Sequence, residues 1–174
     1  MTRDPWLERD AAWSQALRLQ DSQRLPRAVA AVLAHSGDSW FWALGLLIVA
    51  AAGSPPARLD ALRTLAAIAG LAVVVLAIKL LIRRRRPEGE WGAIYRTTDP
   101  HSFPSGHAAR VVLLALLAVA WGSPALAVVL ILWAPLVALS RVAMGLHYLS
   151  DIVGGALLGL LAGGVTLAIV SALN

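Results

Sequence analysis

ALRTLAAIAGLAVVVLAIKLLI, residues 61–82, carries a charge only at Arg63 near one end and Lys79 near the other. A bilayer core needs about 20 apolar residues per helix, and this run meets that length. The rest of the chain has the same character. Of its 174 residues, 59% are hydrophobic and 14% charged, against about 25% charged in an ordinary soluble domain. Cysteine is absent, which removes disulfides and thiolate metal sites from consideration. The opening stretch, MTRDPWLERDAAWSQALRLQDSQR, mixes both charge signs without an apolar run and is not expected to be a secretory signal.

Outward from residues 61–82, apolar runs recur at 108–121 and 124–139, separated by Gly122-Ser123-Pro124. Proline cannot continue a helix and glycine relaxes it, so this break predicts a tight hairpin between two antiparallel helices. Residues 152–173 make the last span. Their Gly155, Gly159 and Gly163 form a stripe that lets another helix approach closely. On the N-terminal side, residues 39–53 are short for a crossing, and Ser36-Gly37-Asp38 predicts a helix end followed by a fresh start. Trp6, Trp13 and Leu17 fall near one helical face with charges elsewhere, the pattern of an interfacial amphipathic helix. The expectation is an all-α integral membrane protein. Residues 1–37 would form an interfacial segment, and 38–174 a bundle of five spans, or six if residues 26–36 insert. The long connection 83–106 is unusual in a compact domain, and such loops are usually functional.

Three short stretches carry chemistry. The first runs from Lys79 to Arg86-Pro87, a spacing near two helical turns that would put both cations on one face. Intramembrane ionisable groups are costly and mark functional sites, although snorkelling to headgroups is the plainer reading. The second is Pro104-Ser105-Gly106-His107, at the start of an apolar run. A helix N-terminus offers unpaired N–H groups and a positive dipole end to an anion; the plainer reading is an ordinary serine cap. The third is Ser140-Arg141 followed by His147 and Asp151. Four residues apart, the histidine and carboxylate share a helix side, and the carboxylate can hold one ring nitrogen while the other stays free to attack. Because successive spans reverse direction, all three stretches fall on one side of the membrane. Structural accident explains that convergence poorly.

This pattern resembles the type 2 phosphatidic acid phosphatase family, whose superfamily also includes class A acid phosphatases and vanadium haloperoxidases. The family signature is Lys, six residues and Arg-Pro; then Pro-Ser-Gly-His; then Ser-Arg, five residues, His, three residues and Asp. Lys79, Arg86-Pro87, Pro104 to His107, Ser140-Arg141, His147 and Asp151 match every position. The resemblance implies hydrolysis of a phosphomonoester or diphosphate through a phosphohistidine, with no metal or other cofactor. It implies His147 as nucleophile, Asp151 as its orienting carboxylate and His107 as general acid. Lys79, Arg86, Arg141, Ser105 and the Gly106 amide would hold the phosphoryl oxygens. Fixed donors suit phosphoryl transfer, which is mostly positioning and charge stabilisation. His101 and Arg110 flank the site with no family position, Arg83, Arg84 and Arg85 are read as touching anionic lipid, and His35 as an ordinary interfacial residue.

A site at span ends argues for a lipid substrate reaching it sideways between helices. Phosphatidic acid, phosphatidylglycerophosphate, and polyprenyl phosphates or diphosphates all fit. An undecaprenyl-diphosphate phosphatase is the nearest rival enzyme, and a non-catalytic protein that binds or flips lipid phosphate is the rival of another class. The net charge of +5 comes from basic residues beside apolar spans with no aromatic platform, so membrane lipid rather than nucleic acid is the expected partner. Outside the three cations of the constellation, five Lys and Arg lie on its side of the membrane and two, Arg58 and Arg63, opposite. The positive-inside rule then favours a cytoplasmic site in the cell membrane.

Overall fold

The computed structural model describes residues 5–88, 97–121 and 123–173. Seven helices follow in order: α1 (Pro5–Ala16), α2 (Arg24–Ser36), α3 (Ser39–Ala52), α4 (Pro55–Ile82), α5 (Gly106–Ala120), α6 (Pro124–Ala143) and α7 (Leu149–Leu173). Among the described residues the only β pairing is an isolated bridge between Arg85 and His101. The middle of the 83–106 connection, residues 89–96, lies outside the described residues.

The helix starts follow local rules. Pro55 and Pro124 stand in the first turns of α4 and α6, where a missing N–H costs nothing. The centre of the bundle is α5. Ile68, Leu71 and Val75 of α4 close on Ala109, Leu113, Leu114 and Leu117 of α5, with Leu130 of α6 completing that core. Most other large apolar side chains face outward, including Val73, Leu81, Leu132, Leu161 and Val165, as lipid-facing helix surfaces do.

The expected count of five or six spans meets a finer picture. By length and composition α4, α6 and α7 are long and apolar enough to cross a membrane, and α2 with α3 qualifies as a fourth only as one span bent by 48°. At 1.5 Å per residue α5 reaches only about 22 Å, short of a bilayer core. Its N-terminus lies within the protein, with Ser105 buried and Gly106 and His107 lining a cavity. The break at Ser36-Gly37-Asp38 is where α2 and α3 bend.

The α5–α7 contact is backbone against backbone. A Cβ on Gly155 would sit 2.4 Å from the Ser105 carbonyl oxygen, and one on Gly159 would sit 2.3 Å from that of Ala109. At Gly163 the neighbour is the flexible Leu116 side chain, and at Gly164 nothing lies within 4 Å. The stripe read from the sequence is therefore the seam holding α7 to α5. The helix α1 is polar inward: Asp10 and Ser14 are buried while Trp6, Trp13 and Leu17 are exposed.

Gly159→Ala should lower the thermal unfolding midpoint of the detergent-solubilised protein, by about 1–3 kcal/mol of overpacking. Gly164→Ala should leave it unchanged, and circular dichroism melts compare the two directly.

Candidate active site

The sequence spacing put Lys79 and Arg86 on one helix face, but α4 stops between them. Arg83 takes a left-handed φ of 52° as the C-cap, with its N–H on the Lys79 carbonyl at 2.9 Å. The chain then runs extended, paired through Arg85 and His101, and Ser102 N donates to the Arg84 carbonyl at 2.8 Å. Arg86 thus returns to Lys79 from beyond the helix end rather than along it. Lys79 Nζ and Arg86 Nη2 both converge on one oxygen, Asp99 Oδ2, the arginine at 2.7 Å. Arg86 Nε also donates to the Asp99 carbonyl at 2.7 Å. Burial alone would raise the Asp99 carboxyl, but Lys79 and Arg86 hold it below the usual carboxylate range.

The end of α6 turns on Gly145, whose φ of +67° suits glycine, and Leu146 N closes the turn on the Arg141 carbonyl at 2.9 Å. This reversal sends His147 back into the bundle, 2% exposed, before α7 begins. Its Nδ1 lies 3.4 Å from Asp151 Oδ2, and its Nε2 lies 3.1 Å from Arg86 Nη1. A guanidinium can only donate, so Nε2 carries the lone pair and the ring proton belongs on Nδ1, facing the carboxylate. Burial pushes the His147 pKa well below the ordinary value, and the charges of Arg86, Arg141 and Lys79 push it the same way. The ring is neutral at neutral pH.

Asp151 is fully buried and tied from three sides. Its Oδ2 accepts from Tyr148 N at 2.9 Å, and its Oδ1 from Arg84 Nη1 at 2.8 Å. Arg84 is fixed in turn by Asp10 Oδ2 at 2.6 Å and Ser150 Oγ at 2.5 Å, and it stacks 4.0 Å over the Tyr148 ring. Arg84 therefore anchors a carboxylate inside the protein, whereas the sequence reading sent it to lipid.

His107 stands on the first turn of α5, with Nε2 2.7 Å from Asp38 Oδ1. The other Asp38 oxygen lies 3.1 Å from His35 Nδ1, so His35 does have a titratable companion, contrary to expectation. Ser105 is buried and its hydroxyl accepts from Ala108 N at 3.3 Å. Its own N–H donates to the Asp151 carbonyl at 3.0 Å, so Ser105 caps α5 and ties it to α7.

Lys79, Arg86, Gly106, His107, Arg141 and His147 all line one cavity of about 260 Å³, together with Asp99 and Arg110. Ser105 and Asp151 stand behind the lining. One wall is apolar, built by Ile68, Leu71, Ala72, Val75 and Leu76 of α4. Sequence reasoning missed Asp99, Asp38 and Asp10. Their only signal was that acidic residues are rare in an apolar chain, and their partners in the site lie 13 to 140 positions away. His101 meets the site through its backbone, with Nδ1 buried and unbonded among the described residues. No cluster of three or more metal-ligating side chains occurs among the described residues.

The sequence profile of the PAP2 superfamily matches residues 60–174. The chain belongs to the PAP2 superfamily. Decaprenylphosphoryl-5-phosphoribose phosphatase of Mycobacterium tuberculosis is 36% identical over 140 residues, covering 79% of this chain and 77% of that protein. The protein of the same name from Mycolicibacterium smegmatis is 37% identical over 131 residues, covering 72% and 69%. In fold, the chain is similar to the transmembrane PAP2-type phosphatidylglycerolphosphate phosphatase of Bacillus subtilis, with a TM-score of 0.80 at 23% identity over 99% of this chain and 89% of that one. It is also similar to Aquifex aeolicus LpxE, with a TM-score of 0.72 at 22% identity over 93% and 94%. This PAP2 member is a membrane lipid phosphatase, a phosphoric monoester hydrolase.

Because His147 is neutral when folded and protonates with a pKa near 6.5 when unfolded, the unfolded state binds the extra proton below about pH 6.5. Stability should therefore fall as pH drops through that window. His147→Gln, which cannot titrate, should flatten the slope by up to about 1.4 kcal/mol per pH unit in denaturation measured from pH 7 to 5.

Proposed function

We propose that the enzyme hydrolyses a phosphomonoester carried on a membrane lipid through a phosphohistidine at His147. The observation that carries this reading is the setting of the His147 ring, with Arg86 Nη1 3.1 Å from Nε2 and Asp151 Oδ2 3.4 Å from Nδ1. The Nε2 lone pair therefore lies in the cavity beside Arg86, and the protonated Nδ1 faces Asp151. Nε2 attacks phosphorus as the ester P–O bond breaks, and the leaving oxygen takes a proton from His107. Water then attacks phosphorus as the P–N bond breaks, gives a proton to His107 and so releases His147 and inorganic phosphate. Lys79, Arg86 and Arg141 stabilise the charge on the phosphoryl oxygens, and the Gly106 amide at the start of α5 adds a donor. Lys79 and Arg86 already share one anionic oxygen, that of Asp99. Ser105 acts by holding that helix end in place.

The substrate class follows from the cavity and the relatives. A charged floor beside an apolar α4 wall suits a phosphate on a lipid, and relatives named as phosphatases of a decaprenyl-linked phosphosugar favour a polyprenyl carrier. Residues 38–174 form the catalytic unit in the cell membrane. Residues 1–37 lie at its interface, with α1 turning its tryptophans toward lipid, and the catalytic end faces the cytoplasm.

His147→Ala and His107→Ala should each cost at least about 100-fold in kcat on a lipid phosphate panel. Radiolabelled phosphate should be trapped as phosphohistidine in the wild type and not in His147→Ala; wild-type-like turnover by that variant overturns the assignment. In this cysteine-free chain, Glu88→Cys on the exposed loop beside the site should react with an impermeant thiol reagent only when the cytoplasmic face is open.

A further inference from the structure

The break between α2 and α3 is held far more tightly than a linker requires. Arg110 Nε donates to the Gly37 carbonyl at 3.0 Å and its Nη1 to Ser39 Oγ at 2.5 Å. Trp42 Nε1 donates to the Ser36 carbonyl at 3.0 Å, and Trp133 Nε1 to Ser36 Oγ at 2.8 Å. Gly37 fits so closely that a Cβ there would come within 2.7 Å of Val137 and 3.3 Å of the His107 ring. Side chains from α3, α5 and α6 thus fix the one residue of the break that carries a charge, Asp38.

That carboxylate meets His107 from outside the cavity. Ser39, His107 and Arg110 line the cavity and Asp38 does not, so Asp38 does not occupy the substrate's place. It engages Nε2, which leaves Nδ1 as the ring nitrogen that serves the substrate. Burial disfavours an imidazolium there, and the charged groups around the ring other than Asp38 work the same way: Arg141 from α6 and Arg110 on the same helix. An imidazolium in that setting needs a counter-charge, and an opposite charge at hydrogen-bond distance favours the charged form. His35 of α2 faces the second Asp38 oxygen from the exposed side.

We propose that Asp38 is the positioning residue of the acid histidine: it orients the His107 ring through Nε2 and stabilises the imidazolium that protonates the leaving oxygen. This rests on the reading of His107 as the general acid. The two histidines then each have their own carboxylate, His147 with Asp151 and His107 with Asp38. The proton leaves Nδ1 for the ester oxygen as the P–O bond breaks, and water restores it in the second half-reaction. Asp38 itself stays ionised throughout.

The test uses leaving groups. A dodecyl alkoxide needs a proton as it departs, whereas p-nitrophenolate departs without one. The purified full-length protein, His107→Ala, Asp38→Asn and Asp38→Glu are assayed on dodecyl phosphate in mixed micelles and on p-nitrophenyl phosphate. In kcat/KM, which reports formation of the phosphoenzyme and not its hydrolysis, His107→Ala should lose at least about 100-fold on the alkyl ester and far less on the aryl ester. Asp38→Asn should show the same selectivity, with a loss of at least about tenfold on dodecyl phosphate. The alkaline limb of its kcat/KM profile should also move to lower pH. Asp38→Glu keeps the charge and should recover most of the alkyl activity. If His107→Ala is selective while Asp38→Asn slows both esters equally, or neither, the positioning role is overturned and the acid assignment stands. If His107→Ala is itself unselective, the acid assignment falls and this inference with it. Should Asp38→Asn not fold, an equal loss on both esters in Asp38→Glu overturns the proposal in its place.

Discussion

Cations buried at the ends of apolar helices have to be neutralised from somewhere, and the catalytic end is arranged around that requirement. Lys79 and Arg86 are each 6% exposed and Arg141 only 1%. Removing an ion from water costs several kcal/mol even after relaxation, unless partners surround it. The carboxylates nearby answer that cost one by one: Asp99 against Lys79 and Arg86, and Asp10 and Asp151 against Arg84. Burial first, and the same cations with it, keep His147 neutral and its lone pair available. What makes the cluster tolerable is thus also what gives it the electrostatics of an anion site.

Anchoring this arrangement falls to the N-terminal segment as much as to the spans that carry the motif. Asp10 reaches from α1 to Arg84 and to Ser150, whose N–H donates to it at 3.1 Å, while Ser14 Oγ accepts from Leu149 N at 2.9 Å. The start of α7, and with it Asp151, is therefore pinned by α1. On the opposite flank, Asp38 at the α2–α3 break holds His107. A helix that buries Asp10 and Ser14 and exposes Trp6 and Trp13 is unusual in water. It is what a helix must do between a polar site and lipid.

Packing adds a second constraint. Gly155 and Gly159 let α7 lie directly on the backbone of α5, which brings Asp151 to Ser105, beside the cavity that His107 and His147 both line. Larger residues would hold the helices apart and draw the Ser105 end of α5 away from Asp151. The glycine seam and the chemistry are therefore one design at two depths of the same helix pair.

How much of this was written in the chain differs by kind. Spans at 61–82, 124–139 and 152–173, the glycine stripe, and the convergence of Lys79, Arg86, His107, Arg141 and His147 were legible, because hydropathy and motif spacing are local properties. The path of Arg86 was not, since a helix stop at Arg83 depends on the His101 segment pairing beside it. Nor was the redirection of Arg84 from lipid to Asp151. The sequence by itself determined a membrane-embedded helix bundle with the family's phosphatase motifs. Only the tertiary structure decided which carboxylate answers each cation and which one answers His107, because Asp10, Asp38 and Asp99 reach Arg84, His107, Lys79 and Arg86 across large sequence separations, where no periodicity carries information.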